Sequence, residues 1–144
     1  MPKLKYLDLE NAIITKFPDE TFSNNESITE LTLPKDLTSI GKAFYFNEQS
    51  KNIIEKINIP DNSKLTCIDD NAFRNCSNLY YFNIPANVTY IGSYAFCNCR
   101  NLNSAIVIPK NVTTHPWPNE APNRPTSICI KDGEIDFPQH LVAN

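Results

Sequence analysis

A chain of 144 residues is long enough to close one domain around a core, and its 13 lysines and arginines are scattered among 16 acids, net −3, rather than gathered into the basic face a nucleic-acid partner requires. No run of about eighteen apolar residues occurs, so membrane insertion is not expected. Three glycines against eleven prolines leave little of the backbone that phosphate-cradling loops use, which disfavours nucleotide binding.

Read in order, the chain repeats itself. An apolar-x-x-apolar-x-apolar element, usually closed by proline, begins at Leu4, Leu7 and Leu9 and returns at Ile28, Leu31, Leu33 and Pro34. It recurs at Ile54, Ile57, Ile59 and Pro60, at Leu79, Phe82, Ile84 and Pro85, and, with one extra residue, at Leu102, Ile106, Ile108 and Pro109. An apolar-Thr-x-apolar element follows each time, starting at Ile14, Leu37, Leu65, Val88 and Val112; the fifth copy loses its closing apolar residue at His115. Ala43-Phe44, Ala72-Phe73 and Ala95-Phe96 form a third column, with Thr21-Phe22 as a weaker copy, and three residues after each Phe stands Asn25, Asn47, Cys76 or Cys99. The prolines lie 26, 25 and 24 residues apart, the period of a leucine-rich repeat.

Each column has a physical reading. Apolar-x-apolar is strand spacing, so Leu31 and Leu33 face one way and Glu30 and Thr32 the other. Stacked coils make a parallel sheet with strands about 4.8 Å apart, and a proline without an N–H stops that ladder at the same place in every repeat. The threonine element predicts a second short strand on another side, its hydroxyls hydrogen-bonding along the axis. Gly41 and Gly92, with Asp69 in the equivalent place, suit a tight turn at positive φ. Ser93–Phe96 predicts a short helical turn that drops Phe96 into the core, where Phe22, Phe44, Phe73 and Phe96 stack as a spine.

The two ends differ. Leu4 enters a strand almost at once and leaves the first coil uncovered, as in a fragment of something longer or an end closed by a partner. After residues 1–113, residues 114–126 are proline-rich and break the period, reading as an irregular wrap. Residues 127–137 predict a β-hairpin turning at Asp132-Gly133, with Ile128, Ile130, Ile135 and Phe137 on the face that caps the last repeat; wrap and cap make up 114–144.

LYYFNIPANVTYIGSYAFCNCRNL, residues 79–102, resembles the BspA-like leucine-rich repeats, whose unit runs L-x-x-I-x-I-P-x-x-V-T-x-I-G-x-x-A-F-x-x-C. The match extends over about Leu4 to Thr113. The resemblance implies a leucine-rich-repeat solenoid: a β-rich right-handed superhelix of parallel strands and short helical turns, ended here by the hairpin cap. It also implies a protein-binding scaffold, often displayed on cell surfaces for adhesion, with no catalytic residues to carry over. No secretory leader is visible in MPKLKYLDLE, so the expectation is cytoplasmic if Met1 is native and surface or secreted if the chain is a piece of a longer one.

Little in the sequence points to chemistry. His115 and His140 stand in proline-containing segments away from any nucleophile motif. Cys97-Asn98-Cys99 is too tightly spaced for a zinc knuckle, and Asp69-Asp70-Asn71 and Asp61-Asn62-Ser63 lack a calcium-loop spacing, so no metal or cofactor is expected. Five cysteines cannot complete an internal disulfide framework; Cys76 and Cys99 read as buried thiols, whereas Cys67, Cys97 and Cys129 fall at polar or outward-pointing positions and could be exposed, reactive or disulfide-bonded. Asn25, Asn75, Asn87 and Asn111 head glycosylation patterns that matter only in a secretory pathway. What remains is surface. The outward strand positions, Tyr6, Asp8, Glu30, Thr32, Lys56, Asn58, Tyr81 and Asn83, form the candidate binding face, with Tyr80, Tyr90 and Tyr94 adding aromatics to the fourth repeat and Trp117 a further aromatic in the wrap. The function expected is a non-enzymatic protein-binding module, with a spacer in a longer array or an intracellular scaffold as the alternative.

Overall fold

The computed structural model describes residues 3–47, 49–102, 109 and 112–114. The proline-rich wrap from residue 115 on, the hairpin, Ile106, Ile108, Trp117, Cys129 and both histidines lie outside the described residues.

Two parallel ladders run along two sides of the coils. The first holds β1 (Tyr6–Asp8), β2 (Glu30–Thr32) and β4 (Lys56–Asn58); the second holds β3 (Ser39–Ile40), β5 (Cys67–Ile68), β6 (Tyr90–Ile91) and β7 (Thr113–Thr114). The register follows the repeat columns: Leu7 faces Leu31, which faces Ile57, and Ile40 faces Ile68, which faces Ile91. Leu31, Leu33, Ile57, Ile40, Ile68 and Ile91 are all buried, so one face of each strand from β2 to β6 lines the core. The fifth copy departs from its column. Tyr90 faces Thr113 and Ile91 faces Thr114, one residue earlier than the sequence columns pair them. The shift falls in the one copy whose sequence lacks the closing apolar residue.

Pro34 and Pro60 follow β2 and β4, and all four prolines open a turn. The carbonyls of Pro34, Pro60, Pro85 and Pro109 accept the N–H three residues on, from Leu37, Ser63, Val88 and Val112 at 3.0–3.2 Å. On the threonine side the main-chain rungs are doubled. Thr38 donates both its N–H and its hydroxyl to the Thr15 carbonyl, Thr66 both to Thr38, and Thr89 both to Thr66.

The interior carries the spine. Phe22, Phe44, Phe73 and Phe96 stack near-parallel with centroids 4.8, 5.2 and 5.3 Å apart. Beside it the Cys76 thiol donates to the Phe44 carbonyl at 3.1 Å and the Cys99 thiol to the Phe73 carbonyl at 3.0 Å, each reaching one coil back. Both thiols are buried, and burial, with the neighbouring Cys99 thiol, holds Cys76 well above the ordinary thiol range. Asn25 and Asn47 occupy the same column but close local turns, accepting the N–H groups of Ser27 and Ile28 and of Gln49 and Ser50.

Two turn expectations are corrected. No described glycine has positive φ; Gly41 sits at φ −73°. The left-handed positions are Glu20, Asn71, Asn75, Tyr94 and Asn98. Gly92 is needed for closeness instead: a Cβ there would stand 2.3 Å from the Asp70 nitrogen and 2.6 Å from the Asp69 carbonyl carbon. Ser93–Phe96 is likewise a turn rather than a helical one, because Tyr94 at φ 55° cannot continue a right-handed helix. Only the second repeat forms a helical turn among the described residues, a 3₁₀ turn over Lys42–Phe44.

Candidate functional site

The first ladder places the outward side chains in two rows. Tyr6, Glu30 and Lys56 align through β1, β2 and β4, and an isolated bridge pairs Lys56 with Tyr81; Asp8, Thr32 and Asn58 form the second row. Most of these residues touch one another. The Glu30 carboxylate accepts Asn58 Nδ2 at 2.9 Å and lies 3.5 Å from Lys56 Nζ, whose ammonium sits 5.1 Å from the centre of the Tyr81 ring. Asn83 Nδ2 donates to the Tyr81 hydroxyl at 2.9 Å. The Tyr6 and Thr32 hydroxyls share a hydrogen bond of 3.0 Å. An exposed ion pair of this kind contributes under about 1 kcal/mol. The network therefore orients the face more than it stabilises the fold.

Two of the eight candidates behave differently. Thr32 is 9% exposed beneath the Tyr6 hydroxyl, so it supports the surface rather than presenting one. Asp8 turns to its own loop, where its carboxylate accepts the Glu10 N–H at 2.9 Å. The aromatic concentration of the fourth repeat is dispersed: Tyr81 is on this face, Tyr90 belongs to the second ladder and its hydroxyl donates to the Asp70 carboxylate at 3.4 Å, and Tyr94 lies against Arg74.

The ladder shortens between the third and fourth coils. Leu9 N–H bonds the Thr32 carbonyl and Leu33 N–H the Asn58 carbonyl, but the corresponding bond from Ile59 to Asn83 is absent among the described residues. The last rung is Ile57 N–H to the Tyr81 carbonyl at 3.1 Å. Beyond it the third and fourth coils part around a cleft of about 380 Å³, lined by Asn58, Ile59, Pro60, Tyr81, Asn83 and Ile84 among others. Residue patterns missed this cleft. Its one sequence signal is Phe82, which occupies the position of Leu31 and Ile57 with a larger side chain and packs against Phe73 and Phe96 at 4.7 and 5.9 Å.

The residues suspected of reactive or ligand chemistry are engaged in structure. Cys67 is half-buried and its thiol donates to the Asp69 carboxylate at 3.0 Å; burial and that carboxylate push it up to about 12, far from a reactive thiolate. Asp69 also accepts the Ser39 hydroxyl, and Asp70 accepts the Ser93 N–H. Among the described residues no group of three or more His, Cys, Asp and Glu could hold a metal. The side-chain amides of Asn25, Asn75 and Asn87 each donate to a backbone carbonyl, so three of the four glycosylation patterns have their acceptor nitrogen in use.

Stacked parallel strands, the proline turns and the threonine and phenylalanine columns define a repeat protein of the leucine-rich class. The family model for the BspA type leucine-rich repeat region matches residues 1–116 in six copies, and the chain belongs to that family. Self-alignment counts five of those copies. No curated protein and no solved structure matches the chain. Repeats of this class generally mediate protein binding. Among the described residues no helix is long and apolar enough to cross a membrane.

Proposed function

We propose that this chain is a non-enzymatic protein-binding module, acting in adhesion or as a scaffold, whose coils wind right-handedly as parallel crossovers do. The observation that carries the reading is the continuous network from Glu30 through Lys56 to Tyr81 and Asn83, which ends at the cleft between the third and fourth coils. Tyr81, 37% exposed, is held by Lys56 on one side and Asn83 on the other, an ordered aromatic of the type that anchors protein interfaces. The partner is a protein presenting a side chain to the cleft, with polar groups facing Lys56 and Glu30.

The spacer reading has its own support, since Glu30 is already satisfied by Lys56 and Asn58 and offers little to a ligand. Capture of a specific partner that Tyr81→Ala and Lys56→Ala each abolish, with folding unchanged, supports binding at this face. Capture indifferent to both substitutions supports the spacer.

A further inference from the structure

We propose a second binding site, for a carboxylated saccharide, on the flank formed by the segments that follow each Ala-Phe pair. An open recess of about 660 Å³ lies there, lined by Tyr45, Asn47, Arg74, Asn75, Asn98 and Arg100 among others, a volume within the range of about 300–1,000 Å³ that small-molecule sites occupy. It contains none of the residues of the strand face, so it stands or falls independently of that reading.

Arg74 is the reason for the anionic group. Its guanidinium lies 5.7 Å from the centre of the Tyr94 ring and donates through Nη1 to Asn71 Oδ1 at 3.2 Å, which holds the planar fork in place. No carboxylate pairs with it among the described residues, and its Nε N–H has no acceptor. With Nε buried and Nη1 on Asn71, the guanidinium keeps its positive charge and further N–H groups for a carboxylate.

Apart from Arg100, the rest of the described lining is neutral and polar, which selects a hydroxylated carrier for that carboxylate. Asn98 Nδ2 donates to Asn75 Oδ1 at 2.8 Å and Asn75 Nδ2 to the Phe46 carbonyl at 2.6 Å, so a chain of amides runs along the axis. Both asparagines sit in the left-handed region, at φ 65° and 59°, which fixes where these amides stand. Amides and hydroxyls donate and accept as vicinal sugar hydroxyls do. Asn47, Gln49 and Ser50 also line an adjoining recess of about 560 Å³, giving an oligosaccharide room to extend. The negative net charge disfavours polyanions, so one acidic group per ligand is the match.

The test is titration of the isotope-labelled full chain with sialyllactose, lactose and a glutamate-rich peptide, read by NMR. Saturable shifts of the Asn75 and Asn98 side-chain amides with sialyllactose are expected, with lactose weaker by about tenfold or more, the worth of one charge-assisted contact. Arg74→Gln should weaken sialyllactose binding to the level of lactose while the amide spectrum stays dispersed. Should that variant not fold, Asn98→Ala serves in its place, since it removes an amide of the recess without touching the guanidinium. Glu48 lies outside the described residues, and Glu48→Gln should leave binding equal or tighter. Equal binding of the two sugars, tighter binding of the peptide, shifts elsewhere, or no saturation by about 10 mM would overturn the proposal.

Discussion

The two sides of the coil hold the repeats together by different means. On the threonine side β3, β5, β6 and β7 form a ladder through four coils, and from the first to the fourth coil each threonine adds a hydroxyl bond to the same carbonyl its N–H uses. On the leucine side β1, β2 and β4 make three strands, and the fourth coil joins by one bridge, with main-chain bonds from Tyr80 and Tyr81 to the Glu55 carbonyl and from Ile57 to the Tyr81 carbonyl but none from Ile59 to Asn83 among the described residues; side chains add further lateral contacts. One side is therefore committed to the fold, and the other can carry variable side chains and an opening without breaking the stack. A solenoid whose stability comes from neighbour contacts can accommodate function on the side that carries fewer of them.

The spine is common to both sides and gives the largest expected effect. Phe73→Ala removes the ring that touches Phe44, Phe82 and Phe96 and should cost about 3–5 kcal/mol in denaturant unfolding. A loss under about 1 kcal/mol would mean the rings are not a shared core. Next comes the glycine contrast on the threonine side. Gly92→Ala forces a Cβ into the Asp70 backbone and should destabilise by about 1–3 kcal/mol, whereas Gly41→Ala meets only ordinary contacts at 3.6 and 3.7 Å and should be close to neutral. Equal effects would remove the close approach as the reason for Gly92.

The smallest effect is in alkaline solution. Burial and nearby acids raise Cys67 and Tyr90 from ordinary values of 9.0 and 10.0 to about 12, so both are favoured protonated in the folded chain. Their contribution is fully present below pH 9 and is lost as pH rises toward about 12. The unfolding midpoint should fall across that window, and Tyr90→Phe combined with Cys67→Ser should flatten the decline. An unchanged slope in the double variant would show that these groups are not shielded as described.

The fold was legible wherever one residue type recurred for one physical reason. Phe44, Phe73 and Phe96 repeat because a ring must meet a ring, and Pro34, Pro60 and Pro85 because each opens the same turn. The turns were less legible, since Gly41 and Gly92 look alike in sequence while only Gly92 meets neighbouring backbone, and the left-handed positions went to Glu20, Asn71, Asn75, Tyr94 and Asn98. The rows of the strand face followed from spacing alone. Thr32 beneath Tyr6, Asp8 turned to its own loop and the cleft below Tyr81 did not, because each depends on what a neighbouring coil does.

Hydrogen exchange at two equivalent amides tests the difference between the sides most directly. Leu33 N–H bonds the Asn58 carbonyl at 2.9 Å, whereas Ile59 N–H, one repeat later, has no such partner among the described residues. Leu33 should exchange slower than Ile59 by roughly two orders of magnitude, with Thr66 and Gly92 on the opposite side as slow as Leu33. Equal protection of Leu33 and Ile59 would mean that the leucine ladder is continuous and the cleft closed, and the division of labour between the two sides would be wrong.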